Sequence, residues 1–366
     1  MGKGVDRTLL VIVMALVVSG FLIFSSASLG LLAREGARFS SVAFTQLFFG
    51  IIGGGIAMFI TSQVFYRNWR KYAFYIFIAT VLLTLCVFVP GLGMEHGGAQ
   101  RWVRIAGFSF QPAELLKIGF IIYMATWLSG VHKVINTFKQ GTLPFLGITA
   151  IVGGVLLLQP DTDTFLIMGM AAAAMFITAG GSWRDVAIMA LIGIMLLAVL
   201  AFTRPYVMDR FTTFLDPSVD PQGKSYQIQQ SLIAIGSGGF TGRGFGQSIQ
   251  KFEYLPEPIG DSIFAVYSEE FGFIGSALLI ALLAGFTFRG FKIASHATDL
   301  FGMLLVVGFM TLIVTQAFLN IAAMVALAPL MGLPLPFISH GGTALLAVLA
   351  SVGIVLNVSK YQKGIV

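Results

Sequence analysis

Long apolar runs recur along the whole chain, separated by short polar breaks, so the hydrophobic content is not the core of one soluble domain. A hydrocarbon layer about 30 Å thick takes about 20 apolar residues of helix to cross. Windows of that kind predict ten spans, at 9–29, 43–62, 72–90, 112–130, 143–159, 163–180, 186–203, 261–287, 300–322 and 341–358, with a tight pair around Asp161. Lys3 and Arg7 precede the first run, and Ser25-Ser26-Ala27-Ser28 after it loosely resembles a signal-peptide cleavage region. Further spans follow at once and the small residues lengthen the run, which favours an uncleaved first helix.

Most Lys and Arg fall on one side of this array, Arg67, Arg70, Lys71, Arg289 and Lys292 among them. The short loops of the other side hold few, including Arg101 and Arg104. The positive-inside bias then places both termini of a multi-pass membrane protein on the cytoplasmic side. The segment at about 204–260 becomes a large extracytoplasmic loop between helices 7 and 8 of a single all-α transmembrane domain covering 1–366.

Composition agrees. Of 366 residues, 57% are hydrophobic and only 10% charged, with a mean hydropathy of +0.90, whereas soluble domains carry about 25% charged residues. The net charge of +6 is thinly spread and fits an anionic inner leaflet, not a nucleic-acid partner. Cys86 is the only cysteine, which excludes an intrachain disulfide and a cysteine zinc site.

Three predicted outer segments, 91–117, 204–275 and 332–342, are rich in Gly, Pro and aromatic residues and read as re-entrant or surface-hugging structure. Gly223-Lys224-Ser225 resembles a P-loop end, but Ser218 stands where that pattern needs glycine. The glycines of 236–246 offer no GxGxxG register, and neither HExxH nor GxSxG occurs. Gly50 and Gly54 form a GxxxG pair of the helix-packing kind.

Carboxylates in or beside apolar spans need a partner or a wet cavity, and Glu114, Asp161, Asp163, Asp261, Glu269 and Glu270 are so placed. Glu114 and Lys117 share a helix face, as an ion pair or as part of a cavity wall. Asp261 is delivered by Leu255-Pro256-Glu257-Pro258-Ile259-Gly260 to the start of a helix, as an N-cap or as a general base facing a cavity. Glu269 and Glu270 lie about 12 Å further along that helix, too deep to act on the same atom.

Several separated motifs resemble the SEDS proteins (shape, elongation, division and sporulation) of FtsW/RodA type. They are Gly98-Ala99-Gln100-Arg101-Trp102-Val103, Gln111-Pro112-Ala113-Glu114 with Lys117, Gln159-Pro160-Asp161 and Phe214-Leu215-Asp216-Pro217. Further on come the 230–239 run, Tyr254-Leu255-Pro256-Glu257-Pro258 and Pro334-Leu335-Pro336-Phe337-Ile338-Ser339-His340-Gly341-Gly342. The stretch 246–254 is more similar to the division member, FtsW, than to the elongation member, RodA. Three departures stand out: Ile259-Gly260 where the family usually has His-Thr, His340 for Tyr, and Ala113 for Ser.

The resemblance implies a ten-helix peptidoglycan glycosyltransferase that polymerises lipid II into glycan strands beside a class B penicillin-binding protein and other divisome membrane proteins. Its essential aspartate corresponds to Asp261. Candidate cations for the leaving diphosphate are Arg101, Arg104, Arg210, Arg243 and Lys251, with Lys117 just inside. Gln111, Glu114, Asp161, Ser339 and His340 are expected to shape the cavity. A divalent cation (Mg or Mn), held by Asp261 with an outer carboxylate such as Asp216, is an open alternative that no local spacing demands. A lipid II flippase and a pure scaffold are the competing classes. Polar motifs gathered at one face favour the enzyme, because alternating access puts the site near mid-membrane.

Overall fold

The computed structural model describes residues 4–362 apart from 35, 97–98, 106–107, 217–222 and 224, so Lys3, Gly98, Pro217, Ser218 and Lys224 lie outside the described residues. Among the described residues, nine helices are long and apolar enough to cross a membrane. They include α1 (Arg7–Arg34), α4 (Tyr66–Leu85), α5 (Pro112–Val131), α6 (Leu143–Leu158) and α8 (Trp183–Thr203). Later in the chain come α12 (Ile263–Ser295), α13 (Leu300–Met324) and α14 (Gly342–Ser359). The second span runs Phe39–Gln63 through α2 (Gly36–Phe44), a π-helical stretch Thr45–Gly53 and α3 (Gly54–Gln63). The remaining predicted span, 163–180, is α7 (Thr162–Thr178), a shorter apolar helix that follows α6 after the turn at Gln159–Asp161.

Helix ends overrun several predicted spans. α4 starts at Tyr66 and takes in Arg67, Arg70 and Lys71, and α12 runs on to Ser295. Hydrophobic windows stop at the hydrocarbon edge, but helical hydrogen bonding does not. The most apolar long helix, α8, has no buried residue at all, with Phe202 83% and Trp183 72% exposed. Such a surface has to be covered, by hydrocarbon or by another apolar helix.

α13 and α14 form the buried centre. Gly50 and Gly54 let that span press on α14: a Cβ on Gly54 would meet Leu349 at 2.7 Å, and one on Gly50 would meet Leu345 at 3.1 Å. The GxxxG pair is therefore a packing face. Asp6 lies at the opposite end of the bundle from the polar segments, its backbone N–H on Ser359 and its carboxylate on Arg289 at 2.7 Å.

The polar segments share the other end. Within the predicted outer segment 91–117, β1 (Gly93–His96), β2 (Ala99–Ile105) and β3 (Phe108–Phe110) form a three-stranded antiparallel sheet. The 204–262 segment carries α9 (Pro205–Leu215), α10 (Tyr226–Ser237) and α11 (Gln250–Glu253). α12 is broken at Gly272 (φ 63°, ψ −161°), and the glycine-rich loop fills the break. Arg243 and Gly244 donate their backbone N–H to the carbonyls of Glu269 and Glu270, while Phe273 and Ile274 donate to Gly239 and Phe240. Freed backbone groups in a membrane helix need such substitutes, and a Cβ on Gly272 would lie 2.4 Å from Gly242 N. The glycine cluster is thus a backbone plug.

Candidate active site

The turn before α12 presents Asp261. Glu257 takes a left-handed conformation (φ 46°), and its carbonyl accepts from the N–H groups of Gly260 and Ser262 at 3.0 and 3.2 Å. Ser262, not Asp261, occupies the N-cap position of α12, so the carboxylate is not spent on capping. Its backbone is held three times over. Asn320 Nδ2 donates to the Asp261 carbonyl (2.8 Å), Ser339 Oγ to Gly260 (2.7 Å) and the His340 N–H to Ile259 (2.7 Å). The loop that carries Ser339 and His340 therefore grips main chain at 259–260, where the side chains depart from the resemblance. The His340 ring stacks on Phe24 at 6.0 Å.

That loop is itself anchored by α13. Asn320 also donates to Leu333 O and Gln316 to Pro334 O, each at 2.8 Å. Gln316 accepts from Lys117 at 3.2 Å, and Lys117 pairs with Glu114 at 2.8 Å. Both α5 residues are buried, so the ion pair and the cavity wall are one structure, reaching Asp261 through Gln316 and the loop. Gln46 adds a strut from the second span, accepting from Gly341 N at 3.0 Å.

The Asp261 carboxylate makes no hydrogen bond or ion pair with a described residue. Burial, reinforced by Glu257 and Asp163 and opposed by Arg210 and Arg101, pushes it up to about 7. Arg210 on α9 binds Asp163 through one nitrogen (2.6 and 2.8 Å), and Asp163 also accepts from Gly332 N (3.0 Å). Arg101 on β2 donates to the carbonyls of Gln159 (3.3 Å) and Pro160 and lies 3.8 Å from Asp161. Gln111 Nε2 reaches the same carboxylate at 3.4 Å, and Asp161 caps α7 through Thr164 N.

Two candidate cations have other work. Lys251 is wholly buried, bonded to Glu270 at 2.7 Å and to Ser26 at 3.1 Å, so it is a countercharge inside the bundle rather than an outer-surface group. Arg243 pairs with Glu269 at 3.3 Å. Glu269 further accepts from Ser248 Oγ (2.6 Å) and the N–H groups of Ile249 and Gln250. The deep carboxylates thus anchor the 238–254 segment to the broken helix. Arg104 is exposed and unpaired among the described residues. Gln316 and Asn320 escaped the sequence reading, although two amides four residues apart in an apolar span were the available signal.

A bundle sheathed in apolar side chains, with buried charges gathered at one end around an unpaired carboxylate, is a polytopic membrane protein with a site at one membrane face. The chain belongs to the FtsW/RodA/SpoVE family, described as cell cycle protein, whose model matches residues 6–364. It is 38% identical to the stage V sporulation protein E of Bacillus subtilis (strain 168), across 98% of each chain. It is equally 38% identical to the FtsW of Geobacter sp. (strain M18), named a probable peptidoglycan glycosyltransferase, across 99% of this chain and 98% of that one. Among solved structures, a chain of a peptidoglycan synthase complex that coordinates polymerization and crosslinking matches with a TM-score of 0.79 at 27% identity, over 98% of this chain and 99% of that one. The rod shape determining protein RodA of Thermus thermophilus matches with a TM-score of 0.71 at 27% identity, over 98% of each chain.

Proposed function

We propose that this chain is a peptidoglycan glycosyltransferase that polymerises lipid II at the outer face of the cytoplasmic membrane, with both termini cytoplasmic and Asp261 as general base. One observation carries the reading: a carboxylate whose backbone is fixed by Asn320, Ser339 and His340, whose side chain is unpaired among the described residues, and which burial pushes up to about 7. A base of that strength fits proton removal at physiological pH, a contribution of about 10²–10⁴-fold.

Asp261 takes the proton of the acceptor's 4-hydroxyl as that oxygen bonds to the donor's anomeric carbon. The bond from that carbon to the diphosphate breaks, and the electron pair leaves with the diphosphate. Attack from the opposite side inverts an α-linked donor to a β-linked product. Inverting glycosidases need a paired acid, but diphosphate departs as a stabilised anion, so one carboxylate suffices. Arg210 and Arg101 are the cations nearest in influence to Asp261, suited to oxygen anions by their planar donors. A divalent cation shared between Asp261 and the diphosphate stays an alternative: among the described residues no three His, Cys, Asp or Glu side chains converge, but magnesium is commonly held by one or two carboxylates together with substrate phosphates. A class B penicillin-binding protein is the expected partner, supported by the likeness to a chain of a synthase complex.

The test is polymerisation of lipid II by the purified protein with its penicillin-binding partner, moenomycin suppressing contaminating classical polymerases. Glycan from wild type and none from folded, partner-binding Asp261→Asn is the expected result. Equal polymer from both would remove Asp261 from the chemistry. No polymer, with lipid II crossing liposome membranes instead, would replace the polymerase by a transporter.

A further inference from the structure

A second carboxylate stands beside the base. Asp261 Oδ2 and Asp163 Oδ2 lie 3.7 and 3.8 Å from the position a Cβ on Gly332 would take. The two oxygens are therefore within about 8 Å of each other, inside one Debye length at physiological salt. Asp163 is buried and its oxygens are engaged by Arg210 and the Gly332 N–H, whereas Asp261 is free. Arg210 is 29% exposed and spends a single nitrogen, NH1, on Asp163, with its ring-side face over Tyr206. Nε and NH2 make no hydrogen bond to a described residue, which leaves two nitrogens with three N–H groups for an oxygen anion.

We propose that Asp163 is a positioning residue. It aims the remaining donors of Arg210 at the diphosphate of the lipid-linked donor, and its charge, balanced by Arg210, sets how tightly Asp261 holds a proton. This rests on the reading of Asp261 as the base. With the diphosphate absent, the guanidinium offsets Asp163 and restrains the proton affinity of Asp261. When the diphosphate draws on the same guanidinium, Asp163 is less well balanced, and Asp261 becomes a stronger base as the acceptor hydroxyl arrives. The remaining charges around Asp261 do not share this role. Glu257 sits in its own turn and Arg101 on β2 is tied to Asp161 and the 159–160 carbonyls. From α13 come the uncharged Gln316 and Asn320, and residues 332–339 hold no titratable side chain. His340 is stacked on Phe24.

The distinguishing feature is that the two members of one ion pair push the base in opposite directions. Asp163→Asn keeps an acceptor for Arg210 while removing a negative neighbour, so the acid limb of the polymerisation rate against pH moves down by about 0.5–1 unit. Arg210→Gln removes the positive neighbour, so the limb moves up, and the KM for lipid II rises several-fold. The carboxylic-acid infrared band that Asp261→Asn abolishes gives the same midpoint without turnover, and serves if either variant is inactive. Opposite shifts are expected by either readout. Shifts of the same sign, or none, overturn the proposal while leaving Asp261 as base. A fully active Asp261→Asn would instead sink the reading of the base itself.

Discussion

Replacing Lys251 by methionine separates a structural cation from a substrate-binding one. Lys251 Nζ sits 2.7 Å from Glu270, with side-chain exposures of 0% and 1%, and Ser26 from α1 donates to the same carboxylate at 2.6 Å. Methionine fills the volume but leaves Glu270 with hydroxyl and N–H partners only. Removing one partner of a buried pair costs about 3–5 kcal/mol. For a domain of this size that lowers the melting temperature by roughly 5–10 °C. The double change Lys251→Met, Glu270→Leu removes both charges and is expected to recover most of the loss, since apolar replacements of buried pairs are often neutral. Thermal melts of wild type, each single variant and the double variant in one detergent or nanodisc form a complete cycle. An unchanged melt for Lys251→Met, with a raised KM for lipid II, would refute the clasp and return Lys251 to the substrate.

The polymerisation rate should climb with pH through about 7, because Asp261 must be unprotonated to act and its proton is held up to that value; a limb near 4 would show an unperturbed carboxylate. Stability runs the other way. Between about 4 and 7 native Asp261 keeps a proton that the unfolded chain has lost, so stability falls with rising pH, and Asp261→Asn should gain in relative stability above pH 7 in melts at pH 6 and 8. Gly272→Ala forces a side chain into a left-handed conformation (φ 63°) and against Gly242 N, so it should cost more than about 1–2 kcal/mol and loosen the 238–246 loop to proteolysis. Asn320→Ala strips donors from the carbonyls of Asp261 and Leu333, and should cost about 1–3 kcal/mol and lower kcat at unchanged partner binding.

Much of the architecture was written along the chain. Each span announces itself because a run of apolar side chains has one stable place, and burying a charge there is costly enough that Glu114, Lys117 and Asp261 stood out singly. The Glu114–Lys117 pair was legible because a helix fixes which residues share a face within three positions. The Gly-rich and Pro-rich segments were legible as special, but not as a sheet or as a plug in a broken helix. What joins the site comes from distant parts of the sequence. Arg210 meets Asp163 across 47 positions, Gly332 meets it across 169, and Lys251 finds Ser26 across 225. No local period encodes those meetings, because they depend on how separate helices pack and which way a loop turns. Lys251 shows the consequence. Its charge and its place in a polar segment pointed outward, and only the break at Gly272, which draws the loop into the bundle, turned it inward to Glu270. The sequence by itself determined a membrane bundle with a carboxylate, Asp261, delivered by a proline-stiffened turn to the start of a helix; tertiary packing alone decided which charges stand beside that carboxylate, since electrostatic partners are set by distance in space.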